Sequence, residues 1–181
     1  MPSLSDVSTT IVVGFALMLG AILGATVHRW IFFVIRIQSW SMCPTLMPGQ
    51  FALVTRVYSE RSIARGHIVV AASDELGLMI IKRVIGTPGD VIDIDGSGRI
   101  KVNNLVLVEP YIETWAGPAG TFIVPPQHVL LLGDNRSQSI DSRQWQRPFL
   151  PVTAIRGRLV FKTRRCRSQK PLAPPGSTVD T

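Results

Sequence analysis

Between residues 51 and 162 the apolar side chains recur at every second position, and no stretch there repeats at 3.6 residues. Alternation of that kind puts one row of side chains on each face of an extended backbone, so it selects strands and excludes a helical bundle. The runs are residues 51–57, 67–71, 78–85, 91–94, 99–102, 105–108, 122–124, 128–132 and 155–162. Turn formers separate them: Pro48-Gly49, Arg65-Gly66, the polar residues 73–77, Gly96-Ser97-Gly98, Asn103-Asn104 and Pro125-Pro126. Residues 109–120, with two prolines and two glycines, read as loop. The expectation is a mainly β domain over residues 38–163.

The N-terminal part obeys a different rule. Residues 11–27 are seventeen uncharged, mostly apolar positions, at the lower limit for a membrane span. His28, Arg29 and Trp30 follow as an interfacial collar, and residues 31–35 return to apolar character. No Lys or Arg precedes Ile11 and no small-x-small site stands before the β region, so a removable signal is disfavoured. Residues 1–37 therefore read as a retained single-span anchor with an interfacial segment.

The net charge of +7 would suit a nucleic-acid binder until it is located. Lys162, Arg164, Arg165, Arg167 and Lys170 face only Asp180 in the last twenty residues. Residues 162–181 thus supply +4 of the +7, and the basic, Pro-rich tail, residues 164–181, is expected to be disordered and solvated or to touch anionic lipid. No basic patch interleaved with aromatics appears, so nucleic acid is not an expected partner. Cys43 and Cys166 stand far apart without metal-ligand spacing, which leaves a disulfide open and zinc unsupported.

Three polar stretches carry candidate chemistry. In residues 39–46, Ser39 and Ser41 are two apart and share a side of an extended backbone, which Pro44 would stiffen. A serine hydroxyl is a weak nucleophile until a base takes its proton. In residues 80–90, Lys82 shares a strand face with Ile80 and Val84, so desolvation would favour its neutral amine. Arg83, on the other face, reads as structural or solvent-facing. In residues 133–143, a loop follows the apolar run 128–132, with Asp141 and Arg143 spaced to pair and Ser139 able to orient an amine. Taken singly, these are a solvated turn, a snorkelling lysine and a polar loop.

Together they resemble the type I signal peptidases, Ser/Lys membrane proteases that remove targeting peptides. The matching motifs, in order, are S-x-S-M-x-P-T-L from Ser39, K-R-V-x-G-x-P-G-D from Lys82, and G-D-N-R-x-x-S-x-D-S-R from Gly133. The resemblance implies a compact signal-peptidase-like β domain behind one transmembrane helix. It implies Ser41 as nucleophile, Lys82 as general base, and the Ser39 hydroxyl with the Ser41 N–H as oxyanion hole. It further implies Ser139 as the residue that positions Lys82, Asp141 and Arg143 as a supporting pair, and Asp134 and Arg136 as braces of the same loop. Substrates would be preproteins with small residues, typically Ala, first and third before the cut. Neither metal nor cofactor is implied, and any partner subunit is left unnamed.

Two departures stand out. His67 follows Arg65-Gly66 where the family often has Asp, which bears on local loop packing. Gln146-Arg147-Pro148 replaces a common Gly-Pro. The span from 89 to 133 is too short for the long inserted β-subdomain of some members. The implied location is a bacterial cytoplasmic membrane with the β domain outside, or alternatively the mitochondrial inner membrane facing the intermembrane space. Arg29 and Arg36 lie on the C-terminal flank, so the positive-inside rule argues for the opposite orientation. The chemistry is weighted above these few charges.

Rival readings are a presequence peptidase subunit, a Ser-His-Asp site using His28, His67 or His128, and a self-cleaving repressor. The repressor reading lacks its DNA-binding helices here, and the histidines carry no recognisable nucleophile-elbow motif. A non-catalytic partner subunit would have no need for both Ser41 and Lys82.

Overall fold

The structure, a computed structural model, describes residues 4–57 and 59–163, without the side chains of 4–10, 25, 27–29 and 60. The tail, with Cys166 and most of the basic cluster, lies outside the described residues. Helix α1 (Leu4–Ile31) runs directly into strand β1 (Phe32–Arg36). Then come β2 (Phe51–Arg56), β3 (Ile68–Ser73), β4 (Leu78–Gly86), β5 (Val91–Ile94), β6 (Ile100–Val102) and β7 (Leu105–Val106). After these come β8 (Gly120–Ile123), β9 (His128–Leu132), β10 (Phe149–Pro151) and β11 (Ile155–Lys162). Among the described residues there are also two single-turn 3-10 helices, Glu60–Ser62 and Val152–Ala154. The protein is mainly β.

Seven strands form one sheet in the order β1-β2-β11-β3-β4-β9-β10, and every pairing is antiparallel. A second sheet, β7-β6-β5-β8, occupies the span expected to be too short for a large insertion, and it is small. Its hairpin between β6 and β7 turns on Asn103 and Asn104 at φ 51° and 69°, the left-handed conformation that a two-residue hairpin loop requires. Three clusters fill the interior. Ile85, Leu130 and Leu132 meet Ile92, Ile94 and Ile100 between the sheets. Val69, Ile80, Val84, Leu131 and Trp145 form a second, and Ile37, Met42, Leu46 and Ile68 pack beneath the serine segment. At about 25 cal/mol per Å² of apolar area, such burial is the main force holding the sheets together.

Several expectations change. Residues 32–36, expected as an interfacial segment, pair with β2 as the edge of the main sheet (Phe32 opposite Thr55, Arg36 opposite Phe51). β10 was invisible to alternation because it has three residues, one of them Pro151. The serine segment is a turn, not extended chain: Cys43 N–H donates to Trp40 O at 3.0 Å and Leu46 N–H to Met42 O at 2.8 Å. Among the described residues no helix is long and apolar enough to cross a membrane. The expected span 11–27 includes side chains outside that set. Along the described part of α1, Ile11, Val12, Phe15, Leu17 and Leu23 are exposed.

Candidate active site

Lys82 owes its environment to β4, an inner strand of the main sheet flanked by β3 and β9. Val69 lies opposite it in register, and Ile80 and Val84 on its own face are buried. Only 4% of the lysine is exposed. Burial is the largest influence on its amine and lowers the pKa from 10.5 to about 8; Asp141 raises it, Arg143 lowers it and Asp134 raises it. Charged Lys82 is therefore costly, and the neutral form is within reach of ordinary pH.

A groove of about 510 Å³ brings the pieces together. Ser39, Ser41, Lys82, Gln138 and Ile140 line it, with Ile35, Leu78 and Met79 along its apolar wall. Ser39 Oγ and Ser41 Oγ are 3.0 Å apart, so the two hydroxyls of the turn are hydrogen-bonded. Among the described residues the Ser41 N–H has no acceptor, and no hydrogen bond joins Lys82 to Ser41 or Ser139. Ser139 is 2% exposed and its Oγ is buried without a partner among the described residues. A buried orphan hydroxyl is unfavourable, and an amine is a partner that would relieve it.

The loop 133–143 is held by ions. Asp141, fully buried, accepts from Arg143 Nε at 2.8 Å, from Arg143 Nη2 at 2.9 Å and from Gly133 N–H at 2.9 Å. Asp134 takes a two-pronged contact from Arg83, Nε at 2.8 Å and Nη2 at 2.6 Å. Arg83 is thus structural, not solvent-facing. Arg136 pairs with Glu109 at 2.5 Å, a partner that sequence reasoning missed.

Two further residues escaped notice. Asn135 donates its N–H to Ser41 O at 3.0 Å and its Nδ2 to Trp40 O at 3.2 Å, which fastens the loop to the serine turn. Gly133 lies between them: a Cβ there would collide with Ser139 Oγ and stand 2.5 Å from Ser41 O. Both sit inside the third motif, but the serine turn they meet is some ninety residues away and no local pattern reveals that contact.

The histidines serve elsewhere. His67 Nδ1 accepts the Ala64 N–H at 3.0 Å, and burial and Arg158 hold its imidazole below the usual range. This is how His67 fills the loop position where Asp was expected. Among the described residues no histidine lines the groove that holds Ser41. No cluster of His, Cys, Asp and Glu able to hold a metal occurs among them either.

A hydroxyl pair and a desolvated amine thus face one groove on an antiparallel β scaffold. Comparison with known proteins gives the family. The model of the family described as signal peptidase, peptidase S26, matches residues 8–163. A signal peptidase I of Leptolyngbya laminosa is 36% identical over 155 residues, covering 78% of this chain and 73% of that one. A probable signal peptidase I-2 of Synechocystis sp. is 39% identical over 132 residues, 67% of this chain and 58% of its own length. A crystal structure of a signal peptidase I from Enterococcus faecalis superposes with a TM-score of 0.49 at 25% identity, covering 54% of this chain and 97% of that one. The chain belongs to the signal peptidase family, peptidase S26, and is a serine endopeptidase.

Proposed function

We propose that this protein removes N-terminal signal peptides from exported preproteins, with Ser41 as nucleophile and Lys82 as general base. The observation that carries the reading is the nearly buried Lys82 amine lining the same groove as the Ser39–Ser41 hydroxyl pair. An extended substrate would lie beside residues 39–41 and 78–82, bringing its scissile carbonyl to Ser41 Oγ. Neutral Lys82 takes the hydroxyl proton as the Ser41 Oγ–carbonyl bond forms. The Ser41 N–H and the Ser39 hydroxyl stabilise the oxyanion. Protonated Lys82 then gives its proton to the departing amine, and water, deprotonated by the same lysine, releases the acyl-enzyme. Ser139 orients the amine, while the Asp141–Arg143, Arg83–Asp134 and Arg136–Glu109 pairs keep the loop rigid.

The apolar, exposed side chains of α1 support membrane attachment, which would confine enzyme and membrane-held substrate to one surface and raise their effective concentration. Resemblance to bacterial relatives favours a bacterial cytoplasmic membrane with the β domain outside. Preproteins with small residues before the cut are the expected substrates, and the lipid bilayer is the expected second partner. The test is incubation of the purified full chain in detergent with a preprotein, beside Ser41→Ala and Lys82→Ala. Cleavage by the wild type alone supports the reading; cleavage by a folded Lys82→Ala rejects it. A folded wild type that does not cleave would favour the non-catalytic partner.

A further inference from the structure

The segment between β7 and β8 packs against the loop 133–143, and its polar residues take no direct part in the proposed chemistry. Glu109 is 4% exposed. Its Oε1 accepts from Arg136 Nη2 at 2.5 Å and from the Tyr111 hydroxyl at 2.6 Å. Its Oε2, also buried, has no partner among the described residues. Tyr111 in turn lies under the Arg83 guanidinium, 3.8 Å from Cζ to the ring centroid. On the other side, Arg136 Nε donates to Gly133 O at 3.1 Å, and Arg143 Nη2 donates to Arg136 O at 3.0 Å. Arg143 Nη1 also reaches back to Ala116 O at 2.6 Å.

These contacts form one path: Tyr111 to Glu109, Glu109 to Arg136, Arg136 to Gly133. Gly133 is the residue against which both Ser41 O and Ser139 are packed. An arginine keeps its charge in any protein setting, so buried Arg136 needs a counterion, and Glu109 provides it. The one-sided use of the carboxylate is informative. A buried acceptor left without a partner is unfavourable, so the arrangement serves the aim of Arg136 better than it serves Glu109's own hydrogen bonding.

We infer that Glu109 is a positioning residue of the hydrolytic site, aiming Arg136 at the Gly133 carbonyl and so holding Gly133 against Ser41 and Ser139. The inference rests on the reading of Ser41 and Lys82 as the reacting pair. Glu109 touches no substrate, so its removal acts on transition-state geometry more than on binding, lowering kcat and sparing KM.

The experiment measures kcat, KM and urea unfolding for the full chain in detergent. The variants are Glu109→Gln, Glu109→Leu/Arg136→Met and Tyr111→Phe, with Lys82→Ala alongside. Glu109→Gln is expected to lose about tenfold in kcat or more, with KM within about twofold. The double variant removes both buried charges, and its stability is expected to recover. Its kcat is expected to stay low, because no guanidinium then holds the Gly133 carbonyl. A double variant with recovered stability and wild-type kcat would show Glu109 to be a counterion only and overturn the inference. Wild-type kcat in folded Glu109→Gln would do the same. Tyr111→Phe keeps the ring under Arg83 and deletes one hydrogen bond to Glu109. Should the other variants not fold, it decides: about a threefold fall in kcat supports the inference, and an unchanged kcat overturns it. Lys82→Ala reports on the reacting pair separately, since cleavage by that variant removes the Ser/Lys reading whatever the Glu109 variants show.

Discussion

Asn135 and Ser41, ninety-four positions apart in the chain, are joined by a backbone hydrogen bond of 3.0 Å from the Asn135 N–H to the Ser41 carbonyl. The side-chain amide of Asn135 adds a second tie to Trp40 O. Asn135→Ala keeps the first and loses the second. The loss of one fastening on the turn of the proposed nucleophile is expected to lower kcat by about 3- to 10-fold, with KM within about twofold. Steady-state kinetics on a preprotein in detergent checks it.

Gly133 tolerates no side chain. Gly133→Ala would press its methyl into Ser139 Oγ and the Ser41 carbonyl. Overpacking of this kind costs about 1–3 kcal/mol. Displacement of the turn by an ångström is expected to cost about 100-fold in rate. Urea unfolding and kcat of the same preparation measure the two effects, and a folded variant with near wild-type kcat would show the turn to be adaptable.

The β pattern was legible because β2, β3, β4 and β9 each alternate or form short apolar runs between turn formers. β1 was not, since Phe32–Arg36 continues an apolar stretch and gains its identity only by pairing with β2. β10 was not, for it is three residues long and exists as a strand through Leu130 and Val129 of β9. At the site, Ser41 and Lys82 stood out through motifs, and the apolar neighbours of Lys82 foretold its burial. Glu109 and Asn135 did not stand out, because a single acid in an apolar run and an asparagine in a polar loop acquire meaning only from distant partners. The turn at the serines was legible only as a solvated one; that Met42 and Leu46 are drawn inward by Ile37 and Ile68 is a tertiary effect with no local signature.

Arg83 and Asp134 make a buried pair, so the two single substitutions and the double should differ sharply. Arg83→Met strands the Asp134 carboxylate and is expected to cost about 3–5 kcal/mol. Arg83→Met/Asp134→Leu removes both charges and is expected to regain most of that loss. Urea midpoints of the three proteins give the answer, and additive losses would mean that the pair is not a unit.

Lys82 makes the fold less stable in its charged state. Its pKa falls from 10.5 to about 8 on folding, so between those values the unfolded chain binds more protons and stability rises with pH. Below about 8 the penalty is fully present, up to about 3 kcal/mol. Lys82→Met is therefore expected to be more stable than wild type at pH 7, with the advantage shrinking as the pH climbs from about 8 to 10.5. Thermal or urea unfolding across that range tests it; a destabilised Lys82→Met at pH 7 would mean that the amine is better solvated or paired than its burial indicates.

The central claim is that a neutral Lys82 deprotonates Ser41, and the pH dependence of kcat/KM for preprotein cleavage tests it most directly. Activity is predicted to rise with pH through a midpoint of about 8, because the protonated amine cannot act as a base. His67→Gln/His128→Gln should leave that profile in place, and folded Lys82→Ala should show no cleavage at any pH. A folded Lys82→Ala that still cleaves, or a midpoint near the ordinary histidine range that disappears in the histidine variant, would contradict it.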